Sequence, residues 1–295
     1  MTDETKRGVS KKSKDKELLT VKVARGICVK GMVLAIFASL ALGVQAHPRW
    51  ILPGEFTISG DEDQWVSFDL TASHSVFSVD KGISAQNVRI ISPDGDQNYL
   101  RNFFTGHRRS VFDLEFEMDG TYKIYEERPI FYYTGYKTGK RETVKYIPGN
   151  KVEVQGRLPE RAREVRTEVL DMSTVVYVTR NAPTDTVLEP KGKGLELVPV
   201  THPSDIVEGE EVTVKMLLDG QPAAGVEVEI TPNGTRYRDE RKSILLTTDD
   251  SGLVVFTPDQ PGAWLMAATL YSQENSPMAD VRWSARYMTF EVAPQ

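Results

Sequence analysis

The chain has 295 residues, 40% hydrophobic and 26% charged, with a formal net charge of −6. That is ordinary globular composition, long enough for two domains of usual size. One cysteine cannot make a disulfide framework within the chain, so the fold has to rest on its cores.

Residues 1–30 carry nine bases and four acids, and Gly31 to Ala46 (GMVLAIFASLALGVQA) carries no charge. A basic stretch, a short apolar run and an A-x-A-like end are the three parts of a secretory signal. The apolar run is short for a membrane span, which takes about 20 residues. Cleavage after Ala46 is therefore expected, giving a periplasmic protein that does not span the membrane. It removes Cys28, and loss of nine bases and four acids leaves 27 Lys/Arg against 38 Asp/Glu, net −11. That balance argues against nucleic acid or an anionic lipid surface as partner, since both call for a basic footprint.

Beyond residue 46, short alternating strands recur between Gly, Pro and Asp turns, the pattern of a sandwich or barrel. Strands are predicted at Arg49–Leu52, Gln64–Leu70, Asn87–Ile91, Ser110–Glu117 and Thr121–Glu126. In Val111 to Glu117 the apolar Phe112, Leu114 and Phe116 alternate with Asp113, Glu115 and Glu117, a half-buried strand. A charged, Tyr-rich insertion is expected near residues 129–166, with one or two helical turns from Pro159 to Arg166. It reads either as an exposed insertion or as an aromatic contact surface through Tyr132, Tyr133 and Tyr136. A strand rich in β-branched residues follows at Val169–Thr179.

Asn181 to Gly194 is rich in Pro and Gly and sets a boundary: a first β-sandwich over 47–182, a linker at 183–194, and a second sandwich over 195–295. The second segment reads as seven strands in about one hundred residues, the size of an immunoglobulin-like sandwich. The fold class is all-β, two β-sandwich domains behind a cleaved signal.

The second half carries the most specific wording. GEEVTVKMLLDGQPAAGVEVEI and TTDDSGLVVFTPDQPGAW resemble prealbumin-like and carboxypeptidase-regulatory β-sandwich modules. A strand ends at an Asp-Gly turn, TDDSG makes a tight hairpin, and PGAW sets Trp264 into the core. Together with AHPRWILPG, TGHRRSVFD, GLELVPVTHPSDIVEGEEV, PNGTRYRDE and the closing FEVAPQ, the chain resembles the exported bacterial family called domain of unknown function 4198. That family is often labelled a periplasmic component of nickel or cobalt uptake. The resemblance covers nearly all of residues 46–295 and implies no catalytic residues.

Four histidines follow the signal: His47, His74, His107 and His202. Cleavage after Ala46 makes His47 the first residue, offering its amine and imidazole to one metal ion. A second imidazole completes an all-nitrogen set suited to Cu(II) or Ni(II). Pro48 has no amide hydrogen, so a motif built on deprotonated backbone amides is excluded. His202 and His74 are the candidate partners, each equally readable as a turn residue. His107 lies between Gly106 and the cations Arg108 and Arg109, which disfavour a bound cation. No G-x-S-x-G, thiol or phosphate-binding loop follows the signal, so no enzyme is expected. Two function classes stand at this level. One is a periplasmic accessory protein handling Ni, Co or Cu. The other is a metal-free interaction module for an outer-membrane receptor or transport component, with residues 131–146 as its contact surface.

Overall fold

A computed structural model describes residues 47–295 apart from Arg141 and Asn275. The signal segment, with Cys28 and the cleavage position, lies outside the described residues. The first half runs β1 (Arg49–Pro53), β2 (Thr57–Ile58), β3 (Gln64–Ala72), β4 (Lys81–Gly82), β5 (Val88–Ile91), β6 (Gln97–Tyr99), β7 (Phe104–Thr105), β8 (Ser110–Phe116), β9 (Gly120–Glu127), β10 (Phe131–Thr138), β11 (Lys145–Pro148), α1 (Lys151–Val154) and β12 (Ala162–Arg180). The second half runs β13 (Leu195–Pro199), β14 (Val212–Leu218), β15 (Gln221–Pro222), β16 (Glu227–Pro232), β17 (Ile244–Thr247), β18 (Leu253–Phe256), β19 (Gly262–Gln273) and β20 (Val281–Val292). Among the described residues no helix is long and apolar enough to cross a membrane.

The fold is all-β. One sheet has the order β1-β3-β8-β7, with β4 beside β3. A long sheet has the order β17-β16-β19-β20-β12-β9-β5-β6, with β10 and β2 also on β12 and β11 on β10. A third sheet has the order β13-β14-β15, with β18 beside β14.

Alternation explains the layers. In β8, Phe112 and Phe116 are buried and Asp113 and Glu115 exposed, as the period of two requires. Those rings join Ile51, Phe68 and Leu70 against Val88, Ile124, Val176 and Val178, filling the first sandwich. The second sandwich is filled by Val214, Met216, Val254 and Phe256 facing Ile230, Trp264, Met266, Met288 and Phe290. Trp264 is fully buried in it, and its indole N–H donates to the Gln260 carbonyl at 3.1 Å.

The described residues form one compact unit. Segment 183–194 carries the chain from one sandwich to the other, while the long sheet runs through both. Strand β20 pairs with β12 in parallel, from Glu168 opposite Val281 to Val176 opposite Thr289. A third cluster, with Trp50, Leu170, Met172, Trp283 and Tyr287, packs across this seam.

Two local expectations need correcting. Residues 159–166 do not form a helix: β12 already begins at Ala162, pairing with Thr138 of β10. The helical turn lies earlier, at α1, where the Asn150 side chain accepts the Val152 and Glu153 amides and the Glu153 carboxylate accepts the Asn150 amide. That reciprocal cap satisfies donors that a four-residue helix otherwise leaves open. The Tyr-rich segment is not a free loop either. It is strand β10, paired with β11 on one side and β12 on the other.

Candidate functional site

Strand register brings two of the four histidines together. Strands β1 and β3 are antiparallel, with Arg49 opposite Ala72. Continuing that register past the strand ends sets Pro48 opposite Ser73 and His47 opposite His74. The Ser73 amide does donate to the Pro48 carbonyl at 3.0 Å. The two imidazoles meet with ring centroids 3.7 Å apart and planes tilted by 38°.

A third strand completes the surroundings. β4 pairs with β3, placing Lys81 opposite Ala72. Its ammonium donates to His47 Nε2 at 2.8 Å. Burial, then the neighbouring His74, then Lys81 hold the His47 imidazole below its usual range, against a smaller opposing pull from Asp80. A neutral imidazole is the ligating form. While Lys81 donates to Nε2, the ring proton sits on Nδ1.

Strand β1 is fixed by a buried ion pair. Arg49 Nη1 meets Glu126 Oε2 of β9 at 2.9 Å, with side-chain exposures of 7% and 2%. Burial nonetheless raises the Glu126 carboxyl above its usual range, the Arg49 charge opposing it. The pair fastens the strand that follows His47 across to the long sheet.

The remaining histidines stand elsewhere. His202 is 9% exposed and caps the short 3-10 turn Pro203–Asp205. Its Nδ1 accepts the Ser204 amide at 3.1 Å, and its Nε2 faces Thr121 Oγ1 at 3.1 Å and the Thr184 carbonyl at 3.4 Å. Both ring nitrogens are engaged, so His202 fastens the second half to β9 and is not placed with His47 and His74. His107 is exposed in the loop joining β7 and β8, where its carbonyl accepts the Gly82 amide at 3.0 Å.

The tyrosines proposed as a contact surface are largely inside. Tyr136 is 9% exposed, and Tyr132 and Tyr133 are half-buried. Tyr133 packs on the cluster around Trp50 and Trp283. Phe131 and Tyr146 are the more exposed rings of the segment, at 38% and 39%, and the Arg128 guanidinium lies 4.8 Å from the Phe131 centroid.

No group of three or more His, Cys, Asp or Glu side chains among the described residues is placed to hold a metal ion. The donors at this end of the fold are two imidazoles, to which a chain starting at His47 adds its amine. Three nitrogens fit Cu(II) or Ni(II) better than they fit a hard, oxygen-seeking ion. Lys81 and Asp80, which the sequence reading missed, stand beside them. A two-residue strand carries no local signal that announces it.

The family model described as a domain of unknown function (DUF4198) matches residues 44–272. No curated protein matches the chain. Among solved structures it is similar to the D0-D1 domain of Intimin, at 11% identity over 82% of this chain and 97% of that one, TM-score 0.22. It is also similar to the FN1-FN3 domains of chicken CNTN1, at 6% identity over 83% and 98%, TM-score 0.22. A DUF3823 family protein from Bacteroides uniformis gives 12% identity over 85% and 100%, TM-score 0.22. Likeness at that level carries no functional argument.

Proposed function

The chain belongs to the family described as a domain of unknown function (DUF4198), and on that premise we propose that it is a periplasmic, non-enzymatic binding protein for a transition-metal ion, Cu(II) or Ni(II). The proposed donors are the amine and imidazole of His47, exposed by signal cleavage, and the imidazole of His74. One observation carries this reading: the residue expected to begin the mature chain lies with its ring 3.7 Å from the only other imidazole in contact with it among the described residues.

The neighbouring groups pull both ways, since the Lys81 ammonium opposes a bound cation whereas a neutral imidazole is the ligating form. His47 is held toward its neutral form. Lys81 shares the Nε2 side, so a metal taken by Nδ1 and the amine requires the ring proton to shift to Nε2 and the ammonium to turn away. Metal uptake is thereby coupled to proton release from the amine, whose pKa in a free chain is about 8. A cobalt ion, or a transport component that receives the metal, fits the same donor chemistry less specifically.

The test uses protein exported through its own signal, with His47 verified as the first residue by mass spectrometry. Bound copper or nickel is expected near one equivalent. It should fall away when one residue is added before His47, and also in His74→Ala. Metal retained in both variants, or absent from all three samples, overturns the assignment.

A further inference from the structure

A cleft of about 780 Å³ lies over the face of the long sheet that turns away from the first core. Alternate residues of adjacent strands share a face, so Lys123 and Tyr125 of β9, Val175 and Tyr177 of β12, and Ser284 and Arg286 of β20 all line it. Residues 191–194 and strand β13 form the opposite wall, with Leu195 and Leu197 facing inward.

Lys123, Arg128, Lys191, Lys193, Arg282 and Arg286 line this cleft against Glu127, Asp171, Glu196, Asp219 and Glu274, and Glu196 and Glu127 attract the Lys123 charge without contacting it. Asp171 is taken by Arg286 at 2.9 Å and Arg282 at 3.6 Å, and Glu274 by Arg282 at 2.7 Å. The Glu196 carboxylate accepts the amides of Lys191, Gly192 and Lys193 at 2.6, 2.7 and 3.3 Å. Asp219 accepts the Gly194 amide at 2.8 Å. Lys123 has no hydrogen bond or ion pair among the described residues; its ammonium lies 5.7 Å from the centre of the Tyr177 ring. Lys191 lies 4.6 Å from the centre of the Tyr125 ring and donates to its hydroxyl at 3.2 Å. The Tyr177 hydroxyl is buried, on a residue only 3% exposed, and has no hydrogen-bond partner. Being closed to solvent, it is closed to a ligand in the cleft as well.

The Lys123 ammonium, without a hydrogen bond or ion pair, and the Lys191 ammonium, held by a phenol, therefore stand together beside a space bounded by Val175, Leu197 and the Tyr125 and Tyr177 rings. We propose that this cleft binds a small organic carboxylate, its charged end met by Lys123 and Lys191, its apolar body lying between the sheet face and β13. The volume suits a molecule of drug size or smaller. Burial holds the Lys123 ammonium well below its free range, to about 8, and a bound anion relieves that strain on the charge. The site is separate from the paired histidines, so its ligand does not depend on the metal.

Calorimetric titration of the whole protein with 3-phenylpropanoate, and with its uncharged partner 3-phenylpropanamide, tests this. The acid should bind at least tenfold more tightly than the amide. Lys123→Met should weaken the acid at least tenfold, and Lys191→Met at least threefold. The exposed Lys145→Met and the His74→Ala variant should leave it unchanged. Acid and amide binding alike, no acid binding at millimolar concentration, or undiminished binding in Lys123→Met overturns the proposal. An equal loss in Lys145→Met does so too, because it marks general charge attraction.

Discussion

Replacing Lys123 with Met should make the protein more stable, and the size of the gain should depend on pH in one direction. In a free chain the amine titrates near 10.5; burial in the cleft, then the nearby Lys191 charge, bring it down to about 8. At about 1.36 kcal/mol per pH unit, carrying that charge below pH 8 costs the native state about 3 kcal/mol. This is an upper bound, because Lys123 keeps part of its surface in water. Met is of similar length and has no charge to bury. Between pH 8 and 10.5 the unfolded chain binds more protons at this position than the native one, so wild-type stability rises with pH there. Below pH 8 the cost is constant; above 10.5 it is gone. Urea unfolding of both proteins at pH 7, 9 and 10.5 gives the difference directly, other titrating groups cancelling between them. The variant should lead by as much as about 3 kcal/mol at pH 7 and by much less at 10.5. Equal stability at pH 7, or a gap that does not close with pH, refutes the argument that Lys123 is a buried, unpaired charge.

Other perturbations have equally definite outcomes. Glu126→Leu should cost about 3–5 kcal/mol in urea unfolding, because it leaves the Arg49 guanidinium buried without its partner. Arg49→Met should cost less, because Glu126, already pushed upward by burial, can take a proton; the reverse order would contradict the assigned asymmetry. His202→Ala should lose about 1–2 kcal/mol with its cap and its contact to Thr121, and metal content should not change. Gly82→Ala should lower the melting temperature by several degrees, since an added Cβ runs into the Gly106 carbonyl oxygen; an unaltered melting curve would show that the β7–β8 loop yields freely. Copper affinity of the mature protein should rise from pH 6 to pH 8 as the amine deprotonates, and a flat profile would exclude the amine as donor.

The strands were readable where one face is wet. β8 shows its alternation because Asp113 and Glu115 face water while Phe112 and Phe116 do not. The same rule failed to reveal the cleft. In Thr121 to Glu127 the lysine at 123 looks like an outward residue of a half-buried strand, and locally it is one. Only β13 and residues 191–194, about seventy positions on, place a wall over it. The long sheet was hidden for a similar reason. Nothing in Glu168–Val176 names Val281–Thr289 as its parallel neighbour, since pairing depends on partners that local propensity does not see. The paired histidines follow from a register that becomes legible once Arg49 is known to oppose Ala72. His202 shows the opposite case, where the Thr-His-Pro-Ser wording of a turn was itself the answer.

The parallel pairing of β12 with β20 also fixes when the chain can finish folding. Residues 162–180 precede residues 281–292 in the chain, and the stretch from Glu168 to Val176 is matched with partners over a hundred positions later. Until the last strand arrives, one side of the longest strand in the molecule stays an open hydrogen-bonding edge, and Leu170 and Met172 lack the Trp283 and Tyr287 that cover them. Contacts this distant in sequence close slowly. A chain that crosses a membrane from its N-terminal end thus cannot complete its long sheet until the C-terminal strand has followed.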